Sequence, residues 1–131
     1  MKLAYVSLVA AAAWAGSIAA AFAGDATAGE TVFNAKCKVC HKIGEGATNF
    51  VGPELNGLIG RKTGSVPDYS YSDANKDSGI TWDEAKLNDY LKNPKAVIPG
   101  TKMIFAGLPK EADRDNLIAY LSQFGADGKK K

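Results

Sequence analysis

The sequence is poor in the side chains that bind metals and form disulfides. Its 131 residues contain two cysteines, one histidine and two methionines, one of which is Met1. A disulfide-rich scaffold needs several cysteine pairs, and a closed zinc site needs four ligands, more than the cysteines and the histidine provide here. This scarcity argues against both classes and leaves few candidates for any chemically reactive role.

The sequence also lacks a strong excess of charge of either sign. The formal net charge is +2, with 46% hydrophobic and 23% charged residues, a composition typical of a globular domain. Because the charge is small and no nucleic-acid-binding motif is visible, nucleic acid is a poor partner. The length allows one domain and no second sizeable core.

The longest uncharged run lies at the N-terminus, where residues 3–23 carry no charge after Lys2. Ala21-Phe22-Ala23 matches the small-x-small pattern of a cleavage site. Residues 1–23 are therefore predicted to be a secretory signal peptide, and residues 24–131 the mature domain, with no stable membrane insertion after cleavage. The alternative is an uncleaved membrane anchor, because 21 uncharged residues can span a bilayer.

Three segments of the mature chain have helical patterns, which predicts an all-α fold with long loops. A helix is expected over 26–36 with Asp25 as N-cap, a second over 82–92 with a Thr81-x-x-Glu84 capping box, and a third over 110–124 with Gly125 as C-cap. A short helix near 54–60 is possible, and the Lys129–Lys131 end is expected to be disordered. Loops this long inside a compact domain need something other than chain to fill the middle, and a large apolar cofactor would do so.

The motif Cys37-Lys38-Val39-Cys40-His41 has the C-x-x-C-H pattern that attaches c-type haem. Two cysteines three residues apart on a helical turn can reach the two vinyl groups of one porphyrin, and the next residue then points at the iron. His41 is the only histidine in the chain, so it is the only candidate for a nitrogen ligand from histidine.

Three other interpretations of Cys37 and Cys40 are weaker. They can form a small disulfide in an oxidising compartment. They can act as a thioredoxin-like redox pair, although no βαβ pattern surrounds them, or contribute to a zinc site that lacks enough ligands. Met103, the only methionine other than Met1, is the candidate for the second axial ligand, and Lys102 competes with it only when deprotonated.

These residues and several further motifs resemble the family of mitochondrial cytochrome c and bacterial cytochromes c2. The similarity covers nearly all of residues 24–121. Its motifs are CKVCH at 37–41, GRKTG at 60–64, YSDAN at 71–75, GITW at 79–82, NPK at 93–95, IPGTKMIFAG at 98–107 and LIAYL at 117–121.

The resemblance implies a small cytochrome c fold wrapped around one covalent haem c, with His41 and Met103 as axial ligands. It also implies that the Pro53 carbonyl accepts the other ring N–H of His41, and that Gly29 and Tyr120 let the first and last helices cross closely. The remaining implied haem contacts are Arg61, Tyr71 and Trp82 at the propionates, Asn75, Tyr90 and Thr101 in a polar network near the Met103 sulfur and the inner propionate, and Phe105 over the haem face.

The lysines are segregated from the acids along the chain. Residues 68–89 contain six acids and two lysines, whereas residues 36–42 and 92–110 contain three and four lysines and no acid. This segregation favours a lysine-rich docking surface, against the alternative of a solvated surface without function. The predicted docking residues are Lys36, Lys42, Lys95, Lys102 and Lys110.

The sequence departs from the mitochondrial pattern at several positions. Asn49 stands where the family often has a histidine that ties two loops, so that tie is in doubt. Lysines of the mitochondrial docking ring are replaced by other residues, so the docking surface is expected to be weaker or differently centred. The replacements are Thr31, Thr48, Phe50, Ala96 and Pro109.

The resemblance implies a monomeric electron carrier rather than an enzyme, and the predicted secretory signal favours a bacterial periplasm as its location. An iron with two axial ligands has no open position for a substrate, so the protein needs only a rigid pocket and a brief docking contact. A bc-type complex is the expected donor, and a terminal oxidase, a reductase or a reaction centre the expected acceptor. A haem peroxidase or ligand sensor with an open iron position, and a colourless dithiol oxidoreductase, are the alternatives.

Overall fold

A computed structural model describes residues 24–131 of the chain, and the predicted signal peptide lies outside the described residues. The elements are five helices: α1 (Ala26–Lys36), α2 (Asp73–Asp77), α3 (Glu84–Lys92), α4 (Pro94–Val97) and α5 (Glu111–Leu121). Within this part of the chain the β-structure consists of two isolated bridges, Lys62 with Thr81 and Phe124 with Lys130. The prediction of an all-α fold with long loops is confirmed.

Helix α1 begins and ends where the sequence predicted. The Asp25 side chain accepts hydrogen bonds from the backbone N–H groups of Thr27 and Ala28, which satisfies two of the donors that a helix start leaves unpaired. Phe33 and Gly29 are the buried residues of this helix and lie one turn apart on the same face. A local capping signal was therefore sufficient to define this element.

Helix α3 starts two residues later than predicted, and the predicted capping box was wrong. Its N-cap is Asp83, whose carboxylate accepts from the Lys86 N–H. Thr81 is instead held in the bridge to Lys62, and the Trp82 N–H donates to the Arg61 carbonyl at 2.9 Å. These nonlocal bonds keep the segment extended and move the helix start along the chain.

The sequence analysis missed two short helices and predicted one short helix that does not form. Ser72 caps α2 by accepting from the Asn75 N–H, and Pro94 opens α4 directly after α3 ends. The possible helix near 54–60 does not form, because Gly57 and Gly60 both have positive φ, which breaks helical geometry. Helix α5 is shorter than predicted and has Ser122 as its C-cap, so the expectation for Gly125 was also wrong.

The core is built where α1 crosses α5. A Cβ atom added to Gly29 would lie 1.8 Å from the Asn116 carbonyl oxygen, so only glycine allows the two backbones to approach this closely. The aromatic rings of Phe33 and Tyr120 pack beside this contact at 5.5 Å between centroids, and Phe124 packs on Tyr120 at 5.3 Å. Helix α3 packs against both α4 and α5 and completes the core, in which the Leu117 side chain of α5 is fully buried.

We expect Gly29→Ala to lower the free energy of unfolding by about 3 kcal/mol, the upper end of typical overpacking costs. The added methyl group would meet backbone atoms of Asn116, which cannot move aside as a flexible side chain can. Denaturant unfolding followed by far-UV circular dichroism measures the change. Thr31→Ala on the exposed face of α1 is the control, and equal stability of the two variants would contradict this account of the crossing.

The loop between α4 and α5, which contains Met103, is pinned at its C-terminal end. The buried Arg114 donates from Nη1 to the carbonyl oxygens of Leu108 at 2.7 Å and Pro109 at 3.0 Å. The Leu108 N–H donates to the Leu91 carbonyl at 2.8 Å, and a Cβ atom at Gly107 would meet the Lys92 carbonyl oxygen at 2.1 Å. The end of this loop is therefore held against α3.

The C-terminal residues are ordered, in contrast to the disorder expected for Lys129–Lys131. The Gly125 N–H donates to the Lys129 carbonyl at 2.9 Å, and the Lys131 N–H donates to the Gln123 carbonyl at 2.8 Å. Gly128 packs against the backbone of Gly44, where a Cβ atom would lie 2.3 Å from the carbonyl oxygen. The tail thus folds back onto the loop that follows His41.

None of the helices within residues 24–131 has the length and apolar character that a bilayer crossing requires.

Candidate haem-binding site

A cavity of about 480 Å³ lies between the helices and the long loops. This volume is in the range of sites that bind small molecules and cofactors. Its walls combine the C-x-x-C-H segment, the Met103 loop and the inner faces of α3 and α5. The apolar part of the lining includes Leu55, Leu58, Trp82, Leu87, Leu91, Phe105, Leu117 and Leu121.

One helical turn brings the C-x-x-C-H side chains to the cavity. Cys37 caps the end of α1, and the N–H groups of Cys40 and His41 both donate to the Cys37 carbonyl, at 3.0 and 2.9 Å. All three side chains line the cavity. The chain direction set by α1 therefore presents two thiols and one imidazole to the same space.

The Cys37 thiol is poorly suited to disulfide exchange. Burial, with a smaller contribution from Cys40, raises the pKa of Cys37 to about 11. The thiolate is the nucleophile in thiol–disulfide exchange, and dithiol oxidoreductases lower the pKa of their attacking cysteine. Both cysteines are free thiols in the structure, and the surroundings of Cys37 disfavour the dithiol oxidoreductase alternative.

His41 is buried and held in one orientation. Its Nδ1 lies 2.7 Å from the Pro53 carbonyl oxygen, which can only accept, so Nδ1 carries the proton and Nε2 keeps its lone pair. Burial lowers the pKa of His41, which favours the neutral ring that can bind a metal. The backbone hydrogen bond acts in the opposite direction and is the weaker effect.

Gly52 is a residue of the site that the sequence analysis did not identify. A Cβ atom there would lie 2.3 Å from Cε1 of His41, so the imidazole packs directly on the glycine backbone. The Gly52 N–H also donates to the Cys40 carbonyl at 2.8 Å. The Gly-Pro pair at 52–53 was visible in the sequence, but nothing local showed that the ring of His41 would lie against it.

Met103 lies in the cavity wall within a short chain of hydrogen bonds. Its N–H donates to Thr101 Oγ1 at 3.3 Å, Thr101 Oγ1 lies 3.2 Å from the Tyr90 hydroxyl, and that hydroxyl donates to the Met103 sulfur at 3.4 Å. The three contacts are mutually consistent if Thr101 donates to Tyr90 and Tyr90 donates to the sulfur. They hold the thioether in the cavity and leave sulfur electron density for a second partner.

Asn75 lines the same cavity but takes no part in the hydrogen bonds around Met103. Its Oδ1 atom is buried and has no hydrogen-bond partner among residues 24–131. Buried side-chain amides are rarely left unpaired, so this atom needs an explanation. A polar group of a bound ligand would pair with this amide. Such a group would either donate to Oδ1 or, if the amide is flipped so that Nδ2 takes this place, accept from Nδ2.

The remaining predicted polar contacts also face the cavity. Arg61 donates from Nη1 to the carbonyl oxygens of Glu54 and Asn56, both at 3.0 Å. The Tyr71 oxygen accepts from the Val66 N–H at 3.1 Å, so its own proton is available to an acceptor in the cavity. Trp82 packs against Tyr90 at 4.9 Å between ring centroids. Carboxylate groups on a ligand would find donors on this wall.

Asn49 does tie two loops, which settles the doubt raised by its replacement of the family's histidine. Its Nδ2 donates to the Pro67 carbonyl at 2.9 Å, and its Oδ1 accepts from the Glu54 N–H at 3.0 Å. An amide has both a donor and an acceptor, so it serves both loops without any change of protonation.

The predicted docking lysines are exposed but do not form one group. Lys36 and Lys102 line the cavity, together with Lys62, which the sequence analysis did not single out. Lys42 lies over the Phe50 ring at 5.2 Å, and Lys110 shares a second groove of about 460 Å³ with Lys36. Lys95 projects from α4 and lines neither of these two spaces.

The cavity fits a covalently attached porphyrin. It has two thiols, an oriented imidazole and a thioether in its walls, an apolar lining, and the unpaired side-chain amide oxygen of Asn75 on one side. No group of three or more His, Cys, Asp or Glu side chains within residues 24–131 is placed to hold a metal ion by itself.

Comparison with known proteins agrees with this geometry. The family model described as cytochrome c matches residues 26–125. The chain belongs to the cytochrome c family. Cytochrome c-550 of Bradyrhizobium diazoefficiens is 66% identical over 106 residues, which cover 81% of this chain and 77% of the relative. Cytochrome c2 of Rhodoblastus acidophilus is 61% identical over 108 residues, which cover 82% of this chain and all of the relative.

The family membership establishes the broad function and the cofactor. This cytochrome c is an electron carrier rather than an enzyme, it exchanges electrons with redox partners, and it has one covalently bound haem c. Cys37, Cys40 and His41 fit the attachment motif of that haem. A plant relative, cytochrome c of Cannabis sativa, is 53% identical over 100 residues, which cover 76% of this chain and 90% of the relative.

Proposed function

We propose that this cytochrome c is a periplasmic carrier whose haem iron is held between His41 and Met103. One observation carries the proposal: the only histidine of the chain and its only methionine beyond Met1 line the same cavity as the two cysteines of the attachment motif. His/Met ligation is the arrangement that raises the potential of a c-type haem. Bound haem supplies the one-electron chemistry.

The protein residues contribute by fixing the positions of the two ligand side chains. The Pro53 carbonyl fixes the imidazole, and the Tyr90 hydroxyl fixes the thioether, so neither ligand side chain has to reorient when the charge at the centre changes. Arg61, Tyr71 and Asn75 are the candidates for binding the propionate groups, and Phe105 and Trp82 exclude water from the apolar part. Cys37 and Cys40 are the attachment points, so the cofactor does not dissociate.

The leader supports the proposed location, and the family resemblance supports the proposed partners. Residues 1–23 act as a cleaved secretory signal, which places the mature domain in the periplasm. The relatives named cytochrome c2 and cytochrome c-550 come from bacteria, where such export is possible. A bc-type complex is the proposed donor, and a terminal oxidase, a reductase or a reaction centre is the proposed acceptor of the monomeric carrier.

Lysines at the cavity opening support electrostatic docking. Lys36, Lys62 and Lys102 line the opening, and no acidic side chain among the described residues lines it with them. A cationic opening attracts partners with acidic docking surfaces and increases the rate of encounter at low ionic strength. This segregation supports the docking role that the distribution of lysines along the chain first indicated.

We expect Lys36→Glu with Lys102→Glu, two lysines that line the cavity opening, to slow electron transfer from a purified bc-type complex by roughly tenfold or more at low salt. The double change replaces attraction by repulsion at the docking surface, and salt screens the difference, since the Debye length falls to about 3 Å at 1 M ionic strength. Stopped-flow oxidation of the complex across a range of salt concentrations measures the effect.

The control for this experiment is Lys129→Glu with Lys131→Glu, which changes the net charge equally on exposed residues outside the cavity lining. Equal effects of the two pairs, or equal rates at every salt concentration, would remove the docking role.

The protein is purified from the periplasmic fraction, and its intact mass should correspond to a chain that begins at Gly24 with one haem. A chain that retains residues 1–23 would contradict signal cleavage.

A further inference from the structure

Glu54 is an acid beside the polar wall of the cavity, and neither haem attachment nor the ligation of the iron uses it. Its Oε1 lies 3.6 Å from Arg61 Nη1, and the two side chains are only 20% and 15% exposed. The other ion pair among residues 24–131, Lys76 with Asp73, is 53% and 93% exposed. Water screens an exposed pair strongly, so the charges of Glu54 and Arg61 act more strongly on their surroundings.

The backbone and the side chain of Glu54 both fix this pair in place. Arg61 donates from Nη1 to the carbonyl oxygens of Glu54 and Asn56, both at 3.0 Å. The Glu54 Oε2 atom accepts from the Asn56 N–H at 2.6 Å, which holds the carboxylate beside the guanidinium. Because Nη1 has only two N–H groups, both serve the backbone, and a ligand in the cavity would meet the rest of the guanidinium.

The charge of Glu54 also reaches Tyr71, another residue of the same wall. Burial raises the pKa of Tyr71, and the Glu54 carboxylate adds to this rise, whereas Arg61 opposes it. Arg61 and Tyr71 line the cavity, and Glu54 contacts Arg61 without lining it. A carboxylate in this position makes the wall less positive than Arg61 alone would make it.

We propose that Glu54 is a charge partner of Arg61 that lowers the reduction potential of the bound haem. The proposal rests on the placement of the propionate groups at Arg61 proposed above. A guanidinium at the edge of the haem favours the reduced form, because it opposes the extra positive charge of the oxidised form. Glu54 cancels part of that effect, so the carrier is oxidised more readily than one with a neutral residue at this position.

The test compares Glu54→Gln with the unchanged holoprotein by spectroelectrochemical titration at neutral pH. Glutamine has the same shape and keeps an oxygen that can accept from the Asn56 N–H, but it has no charge. We expect the potential to rise by an amount that corresponds to a roughly two- to fivefold change in the equilibrium constant of reduction. At 59 mV per tenfold for one electron, this shift is about 20 to 40 mV. Glu45→Gln, which removes an exposed carboxylate outside the lining, is the control and should leave the potential unchanged.

The direction of the shift separates a charge effect from a structural one. A wall that merely loosened in Glu54→Gln would admit water, which favours the more highly charged oxidised form, and the potential would fall. A fall, or an unchanged potential, would overturn the proposal. Glu54→Asp keeps the charge and should stay closer to the unchanged protein than Glu54→Gln does, so an equal rise in both variants would overturn it as well.

Arg61→Gln distinguishes failure of this proposal from failure of the propionate placement on which it rests. The variant removes the positive charge from the wall, so its potential should fall below that of the unchanged protein. If Arg61→Gln lowers the potential and Glu54→Gln leaves it unchanged, the role of Glu54 is overturned and the propionate placement stands. If neither variant changes the potential, the placement of the propionates at this wall is overturned too.

Discussion

Changing both motif cysteines, Cys37→Ser with Cys40→Ser, is expected to abolish covalent haem attachment completely. A serine hydroxyl does not form the thioether bond, and no other cysteine exists in the chain to replace it. Both thiols line the cavity on one helical turn after α1, so each is placed to form its own bond. The protein is denatured and extracted with acidified organic solvent, and the haem that remains on the chain is measured by mass and absorption.

The single variants are the matched controls for this experiment. Cys37→Ser and Cys40→Ser each leave one thiol in the cavity, so each should retain haem through one bond when a working maturation system is present. Haem that stays on the denatured double variant would contradict attachment at the C-x-x-C-H motif.

Met103→Ala is expected to leave the haem attached while it removes the sulfur ligand and lowers the reduction potential. Because axial ligands set haem potentials over a range of roughly 0.8 V, we expect a fall on the order of 0.2 V. The alanine methyl group cannot reach a metal, and the Tyr90 hydroxyl loses its acceptor at the same time. Spectroelectrochemical titration measures the potential, and added imidazole or cyanide should now bind quickly.

Ile104→Ala provides the control in the same loop, since this side chain is exposed and forms no part of the hydrogen-bond chain around the sulfur. Its potential should remain that of the unchanged protein. An unchanged potential in Met103→Ala would instead favour Lys102 as the ligand, and Lys102→Ala would then show the fall.

Local sequence signals predicted the elements that depend on local contacts. Helix α1 has the predicted bounds because Asp25 caps it through adjacent N–H groups. Helix α3 starts later than its capping box indicated, because Trp82 is held by a backbone bond to Arg61 from another part of the chain. The C-terminal tail was expected to be disordered because its composition shows nothing of the contact between Gly128 and the backbone of Gly44.

The sequence predicted the reactive side chains of the site but not the close contacts that hold them in place. The scarcity of cysteine, histidine and methionine, together with the family resemblance, singled out Cys37, Cys40, His41 and Met103, and the structure brings all four to one cavity. Gly52 was missed because its role depends on how near the His41 ring lies in space. The tie through Asn49 was in doubt because an amide and an imidazole form equivalent loop contacts only in a suitable geometry, which sequence does not display.

The central claim is that His41 and Met103 together hold a covalent haem with no open position. The most direct test is a reduced-minus-oxidised absorption spectrum of the purified mature protein, repeated with added cyanide and with carbon monoxide. The account predicts sharp c-type bands on reduction and slow or absent binding of either added ligand. Fast ligand binding would contradict ligation by Met103, and the absence of any haem spectrum after expression with a working maturation system would contradict the whole account.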